Sequence, residues 1–201
     1  MKHVPNVLTV SRIVVTPLCL YGLLRGTFAW QAVAATLFIL AAISDYWDGK
    51  LAREYGARSR LGQFLDPLAD KVIVLGAFFV LPLVEPLGAW MPWWAIGLIA
   101  ARDLAVTLLR TYYERQNRPL KTLQAAKWKT GWQLTFLITI QVFLVFAHAR
   151  TLDGFAGAFG RTVYALLDSP FTLVFLLLTT AATLYTGALY FFRREPAEPV
   201  G

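Results

Sequence analysis

Residues 171–192 read FTLVFLLLTTAATLYTGALYFF, 22 positions without a charged side chain. As a helix this run is about 33 Å long, enough to cross the roughly 30 Å hydrocarbon layer of a bilayer. Working back along the chain, the same texture recurs at 134–147, 93–101 and 72–83, each extendable across small or weakly polar neighbours. Of the 201 residues, 57% are hydrophobic and 15% charged, against about 45–50% and 25% in average globular domains. That composition excludes a disordered chain, a coiled coil and a small disulfide scaffold. The lone Cys19 excludes an internal disulfide.

The fold class that follows is an all-α integral membrane protein, one domain over 1–201. Six transmembrane helices are expected at about 10–24, 31–52, 64–84, 91–113, 129–148 and 169–192. A short N-terminal interfacial segment precedes them, and a disordered tail follows from about 194. Lys2 and His3 ahead of an apolar run resemble the start of a signal peptide. Pro17 and the lack of a small-residue cleavage pattern favour a retained first helix. Gly154, Gly157 and Gly160 suggest close helix contact, but they fall between the fifth and sixth spans and read as an outer loop.

The net charge of +7 is not the footprint of a nucleic-acid binder, whose Lys and Arg gather on one soluble face. Here they sit at the ends of apolar runs. With six spans, 16 of the 19 Lys and Arg share a side with both termini and the 50–71 and 110–129 connections. Only Arg25, Arg150 and Arg161 lie opposite. The positive-inside bias puts the termini and those connections in the cytoplasm, with the chain in the cytoplasmic membrane. Trp90, Trp93 and Trp94 then mark the outer interface, and Trp128 and Trp132 the inner one.

Of the 12 acidic residues, four Asp fall within 26 positions: Asp45, Asp48, Asp66 and Asp70. Asp45, Asp48, Gly49 and Ala52 share one helical face, and Asp66 and Asp70 stand one turn apart with Gly62 a turn before them. A short connection makes the two helices antiparallel neighbours, so the carboxylates converge. Four such groups in a low-dielectric site need protonation, a basic partner or a metal. Oxygen-only ligands suit hard ions such as Mg2+ or Mn2+, and a pair of them clamps a phosphoryl group. The bare face left by Gly49, Ala52 and Gly62 makes room for a bulky ligand. From these residues alone, metal-assisted phosphoryl chemistry, a proton or cation pathway, and a structural ion-pair cluster with Arg53, Arg58 and Arg60 all remain open.

The spacing Asp45-x2-Asp48-Gly49-x2-Ala52-Arg53-x8-Gly62-x3-Asp66-x3-Asp70 resembles the CDP-alcohol phosphotransferase signature at every fixed position. The resemblance implies a six-span enzyme with a cytoplasmic site. It implies that Asp45, Asp48, Asp66 and Asp70 hold two divalent cations, Mg2+ or Mn2+, and that Asp70 is also the general base on the acceptor alcohol. Asn6, Thr9, Gly49, Ala52, Arg53, Ser59 and Gly62 fall where family members contact the CDP-alcohol. A homodimer in the membrane lipid is also what the resemblance implies.

The expected acceptor is glycerol 3-phosphate and the donor CDP-diacylglycerol. Lys127-Trp-Lys-Thr130, the Pro5-Asn6-x-Leu8-Thr9-x2-Arg12 opening and Ala101-Arg102-Asp103 resemble segments of the phosphatidylglycerophosphate synthase branch. Ala126 stands where that branch has Gly, and Asp103 where it often has Glu. Arg102, Arg110, Lys127 and Lys129 are the expected contacts of the acceptor phosphate. An Arg as deep in a span as Arg102 needs a partner or a cavity. Asp103 is a candidate partner for it or for a neighbouring helix. Arg115, Arg118 and Lys121 read as positive-inside anchors, and no chemistry is assigned to His3 or His148.

Overall fold

The computed structural model describes the backbone over 4–55, 71–116 and 124–192, with side chains over 12, 14–44, 71–113, 116 and 128–189. Helices make up nearly all of it. Helix α1 spans Val4–Arg25 and α2 Phe28–Tyr55. Helix α3 covers 71–80 and passes into 3-10 turns at Leu81–Leu83 and Leu87–Ala89. Helix α4 is Trp93–Arg115 and α5 Gln124–Ala147. A 3-10 turn at His148–Thr151 leads to α6, Gly154–Leu167, and then to α7, Pro170–Phe192.

Local chemistry sets the helix ends. Gly26, with φ 63°, closes α1 in the left-handed region where a side chain is strained. The return is tight: a Cβ on Gly22 would stand 2.8 Å from the Trp30 carbonyl oxygen, so α1 and α2 pack backbone to backbone there. At the start of α7, the Ser169 hydroxyl accepts from the Phe171 amide at 3.3 Å, with Pro170 at the first helical position. Between helices, Phe136 of α5 stacks on Phe78 of α3 and meets Phe175 of α7 edge-on, with centroids 5.6 and 4.9 Å apart.

The distribution of polarity is that of a membrane protein. Trp128 is 79% exposed and Leu108 70%. Inside, by contrast, lie Gln133, Gln141, Asp103, Lys129 and the Thr172, Thr179, Thr180, Thr183 and Thr186 side of α7. Polar groups turned inward beneath an apolar exterior suit lipid as solvent, and soluble monomers rarely expose apolar patches of that extent. Two helical stretches, Trp128–Thr151 and Pro170–Leu189, are long and apolar enough to span a bilayer, and Val14–Arg25, Phe28–Ser44 and Lys71–Leu83 are shorter apolar stretches.

Two expectations need revision. The stretch around Gly154, Gly157 and Gly160 is not a loop: it is α6, so seven helices are described where six were expected. Its glycines pack against the preceding turn, since a Cβ on Gly157 or Gly160 would run into the Leu152 carbonyl or the backbone of Ala149 and Arg150. The segment ahead of residue 10 is no separate element either, because α1 is helical from Val4 onward. The fifth span, expected at about 129–148, matches the apolar stretch Trp128–Thr151, and helix α5 itself begins a turn earlier at Gln124. The tail expected from 194, and 64–70 of the third span, lie outside the described residues.

Candidate active site

Helix α2 changes character along its length. Phe28–Ser44 is apolar, and from Asp45 to Tyr55 the same helix carries Asp45, Asp48, Gly49, Ala52 and Arg53. At about 42 Å for 28 residues it outreaches the hydrocarbon layer. Its polar end therefore reaches the headgroup region. Asp45, Asp48, Gly49 and Ala52 follow at intervals of three, four and seven residues, the spacing of one helical face. The backbone bears out that placement; the side chains from Asp45 to Tyr55 lie outside the described residues. So do Ser59, Gly62, Asp66 and Asp70, the last of which immediately precedes the described start of α3.

The α1–α2 hairpin sets the N-terminal segment beside this site. Thr9 lies 17 residues before Gly26, and Asp45 lies 18 residues after Thr27; Asn6 and Asp48 match in the same way. Two antiparallel helices joined by a two-residue turn thus hold Asn6 and Thr9 level with Asp45 and Asp48. Asp45 and Asp48, one turn apart and offering only carboxylate oxygens, are a donor set that fits a hard divalent cation.

A second polar group is built where α4, α5 and α7 meet, and Asp103 is its centre. Its carboxylate, 3% exposed, accepts from Lys129 Nζ at 2.5 and 2.6 Å and from Arg102 Nη1 at 3.0 Å. Gln133 Nε2 stands 3.5 Å from Asp103 Oδ2 and donates to Thr183 Oγ1 at 3.2 Å. Arg102 Nη2 donates to Thr186 Oγ1 at 2.9 Å. Gly187 is what lets the guanidinium lie flat on α7: a Cβ there would stand 2.8 Å from Arg102 Cγ and Nε. Lys71, at the start of α3, joins Asp103, Lys129 and Thr130 around a cavity of about 30 Å³. Among the described residues, one carboxylate thus stands among three cations.

Two of the four expected acceptor contacts, Arg102 and Lys129, are brought together here through Asp103. Arg110 is half-buried two turns further along α4. Lys127 lies on α5 with its side chain outside the described residues. Sequence reasoning passed over Lys71, Gln133, Thr183, Thr186 and Gly187. The signal for α7 was present: Thr172, Thr179, Thr183 and Thr186 recur on one face of an otherwise apolar helix.

The sequence profile of the CDP-alcohol phosphatidyltransferase family matches residues 2–190. The chain is 34% identical over 154 residues to a CDP-diacylglycerol–glycerol-3-phosphate 3-phosphatidyltransferase of Cereibacter sphaeroides, covering 76% of this chain and 68% of that protein. It is 40% identical over 113 residues to a probable phosphatidylglycerophosphate synthase of Mycobacterium tuberculosis, covering 55% and 52%. A cardiolipin synthase (CMP-forming) of Oryza sativa subsp. japonica is 35% identical over 151 residues, covering 66% of this chain and 44% of that protein. The matched stretch thus spans about half the length of the mycobacterial relative.

Proposed function

Since the chain belongs to the CDP-alcohol phosphatidyltransferase family, and is a membrane enzyme of phospholipid synthesis, we propose that it transfers the phosphatidyl group of CDP-diacylglycerol to glycerol 3-phosphate. The products are phosphatidylglycerophosphate and CMP. The observation that carries the choice of acceptor is the buried Asp103 group, which holds Arg102 and Lys129 in place beside Lys71. A phosphorylated acceptor needs such fixed cations, and a neutral alcohol does not.

In this reading Asp45, Asp48, Asp66 and Asp70 hold two divalent cations, Mg2+ or Mn2+. The cations supply neutralisation of the charge on the donor's two phosphates when bound. Asn6, Thr9 and Arg53, with the bare surface at Gly49, Ala52, Ser59 and Gly62, seat the cytidine end. Asp70 takes the proton of the acceptor hydroxyl as its oxygen bonds to the lipid-linked phosphorus. The bond from that phosphorus to the bridging oxygen breaks, and CMP leaves with the bonding electrons. Arg102, Arg110, Lys127 and Lys129 attract and orient the acceptor's phosphate. Most of the acceleration is then positioning, since two substrates are held in line for a displacement.

The topology in this reading has six crossings, made by α1 to α5 and α7. Helix α6 rests at the far surface, and the termini and the site face the cytoplasm. The gathering of Arg25, Arg150 and Arg161 at the opposite end supports it.

The likeness to a cardiolipin synthase favours one second reading, the same chemistry with a phospholipid acceptor. An acceptor competition separates the two. Purified enzyme with CDP-diacylglycerol and equal glycerol 3-phosphate, inositol phosphate, serine and phosphatidylglycerol should form phosphatidylglycerophosphate in large excess. Preference for phosphatidylglycerol would move the assignment to the second reading.

A further inference from the structure

At the end of the bundle away from Asp45 lies a cavity of about 390 Å³, within the range of small-molecule sites. It is framed by the α1–α2 turn, the 3-10 turns after α3, and the junction of α5 with α6. Gln31, on its wall, stands 14 residues and so about 21 Å along α2 from Asp45. The transfer site does not reach it.

The wall is divided by charge. Glu85 and Arg150 both line it, yet no ion pair joins them, and among the described residues no hydrogen bond engages either group. Arg150 is fixed in place by the Tyr164 ring, with its guanidinium carbon 3.9 Å from the centroid. On the same wall, His148 Nε2 and Gln31 Oε1 lie 2.8 Å apart, tying the end of α5 to the start of α2. Leu24, Leu83, Val84, Leu144 and Ala147 supply the apolar part of the lining. Two of its members, Leu24 and Leu83, are 51% and 61% exposed, so the cavity continues onto the apolar outer surface of a membrane protein.

We propose that this cavity binds the headgroup of a zwitterionic phospholipid bearing a primary amine, taken from the leaflet opposite the transfer site. The phosphate meets the Arg150 guanidinium, the ammonium meets the Glu85 carboxylate, and the acyl chains run down past Leu24 and Leu83. A simple anion would satisfy Arg150 and be repelled by Glu85, and a simple cation the reverse. A zwitterion satisfies both. A primary ammonium donates hydrogen bonds to a carboxylate, which a trimethylammonium lacks the protons to do. The exposed leucines select a lipid over a soluble amine phosphate. The inference is independent of the acceptor assigned above.

Native mass spectrometry of the detergent-purified protein tests it, with phosphatidylethanolamine, phosphatidylcholine and phosphatidylglycerol added singly. Phosphatidylethanolamine should be retained at least about fivefold more than either other lipid. Arg150→Gln should lower that retention about tenfold, as expected for one lost charge-assisted contact. Glu85→Gln should remove the preference over phosphatidylcholine while keeping phosphate binding. Both variants should release CMP at the wild-type rate, which also shows them folded. If loss of the Tyr164 contact unfolds Arg150→Gln, the Glu85→Gln arm decides by itself. Equal retention of the three lipids by the wild type, or an unchanged preference in Glu85→Gln, would overturn the proposal. Displacement of the lipid by glycerophosphoethanolamine at comparable concentration would overturn the lipid assignment.

Discussion

At the scale of single residues, Asp103 is where structure adds most to sequence. The depth of Arg102 in its span demanded a partner, but helical periodicity gives a face and not the neighbour on it. The partner Lys129 lies 26 residues away on another helix, and nothing local announces the pair. Removing one member of a buried charge group leaves the other uncompensated. Asp103→Ala should therefore lower stability by about 3–5 kcal/mol, read as a fall in thermal unfolding temperature in detergent. The double change Asp103→Ala with Lys129→Met should recover much of that loss, because the two residues act as a unit. Equal losses in the single and double variants would contradict the pairing. Gln133→Leu removes the hydrogen bond to Thr183 and the long 3.5 Å contact with the Asp103 carboxylate, and should cost about 1 kcal/mol, less than Asp103→Ala. The shared helical face of Asp45 and Asp48 on α2, by contrast, was legible from spacing alone, since a three-residue interval on a helix needs no knowledge of tertiary packing; Asp66 and Asp70 lie outside the described residues.

At the scale of elements, α6 was missed and the reason is compositional. Gly154, Gly157 and Gly160 lower helix propensity, and in a short stretch between two apolar runs they read as turn residues. In the fold Gly157 and Gly160 allow α6 to lie directly on the Ala149–Leu152 backbone, a tertiary demand that overrides propensity. Gly160→Ala should destabilise by about 1–3 kcal/mol through overpacking. Gly97→Ala on α4 meets nothing within 4 Å and should stabilise by up to about 1 kcal/mol. Equal effects at the two positions would argue against the α6 packing. On α7, Gly187→Val drives its side chain into Arg102. The KM for glycerol 3-phosphate should rise several-fold, with the KM for CDP-diacylglycerol unchanged. A rise in both would mean general damage and not displacement of a cation.

At the scale of the whole molecule, the arithmetic of charge and the structure meet. Arg25, Arg150 and Arg161 gather at the end where Gln31 meets His148 and where Trp90 donates to Asp168 at 3.0 Å, while the polar end of α2, Lys71 and the end of α4 point the other way. Cysteine probes test the orientation, because the native Cys19 is buried. Glu85→Cys and Asp153→Cys should react with a membrane-impermeant maleimide on intact cells, and Gln116→Cys only after permeabilisation; the reverse pattern would invert the topology. The central claim, phosphatidyl transfer to glycerol 3-phosphate by the aspartate site, is tested most directly by CMP release. It is measured from CDP-diacylglycerol with and without glycerol 3-phosphate and Mg2+, in the wild type and in Asp70→Asn. Release in the wild type should require both additions and should fall to background in Asp70→Asn, with the unfolding temperature retained. Release that ignores glycerol 3-phosphate, or that persists undiminished in Asp70→Asn, would contradict the account.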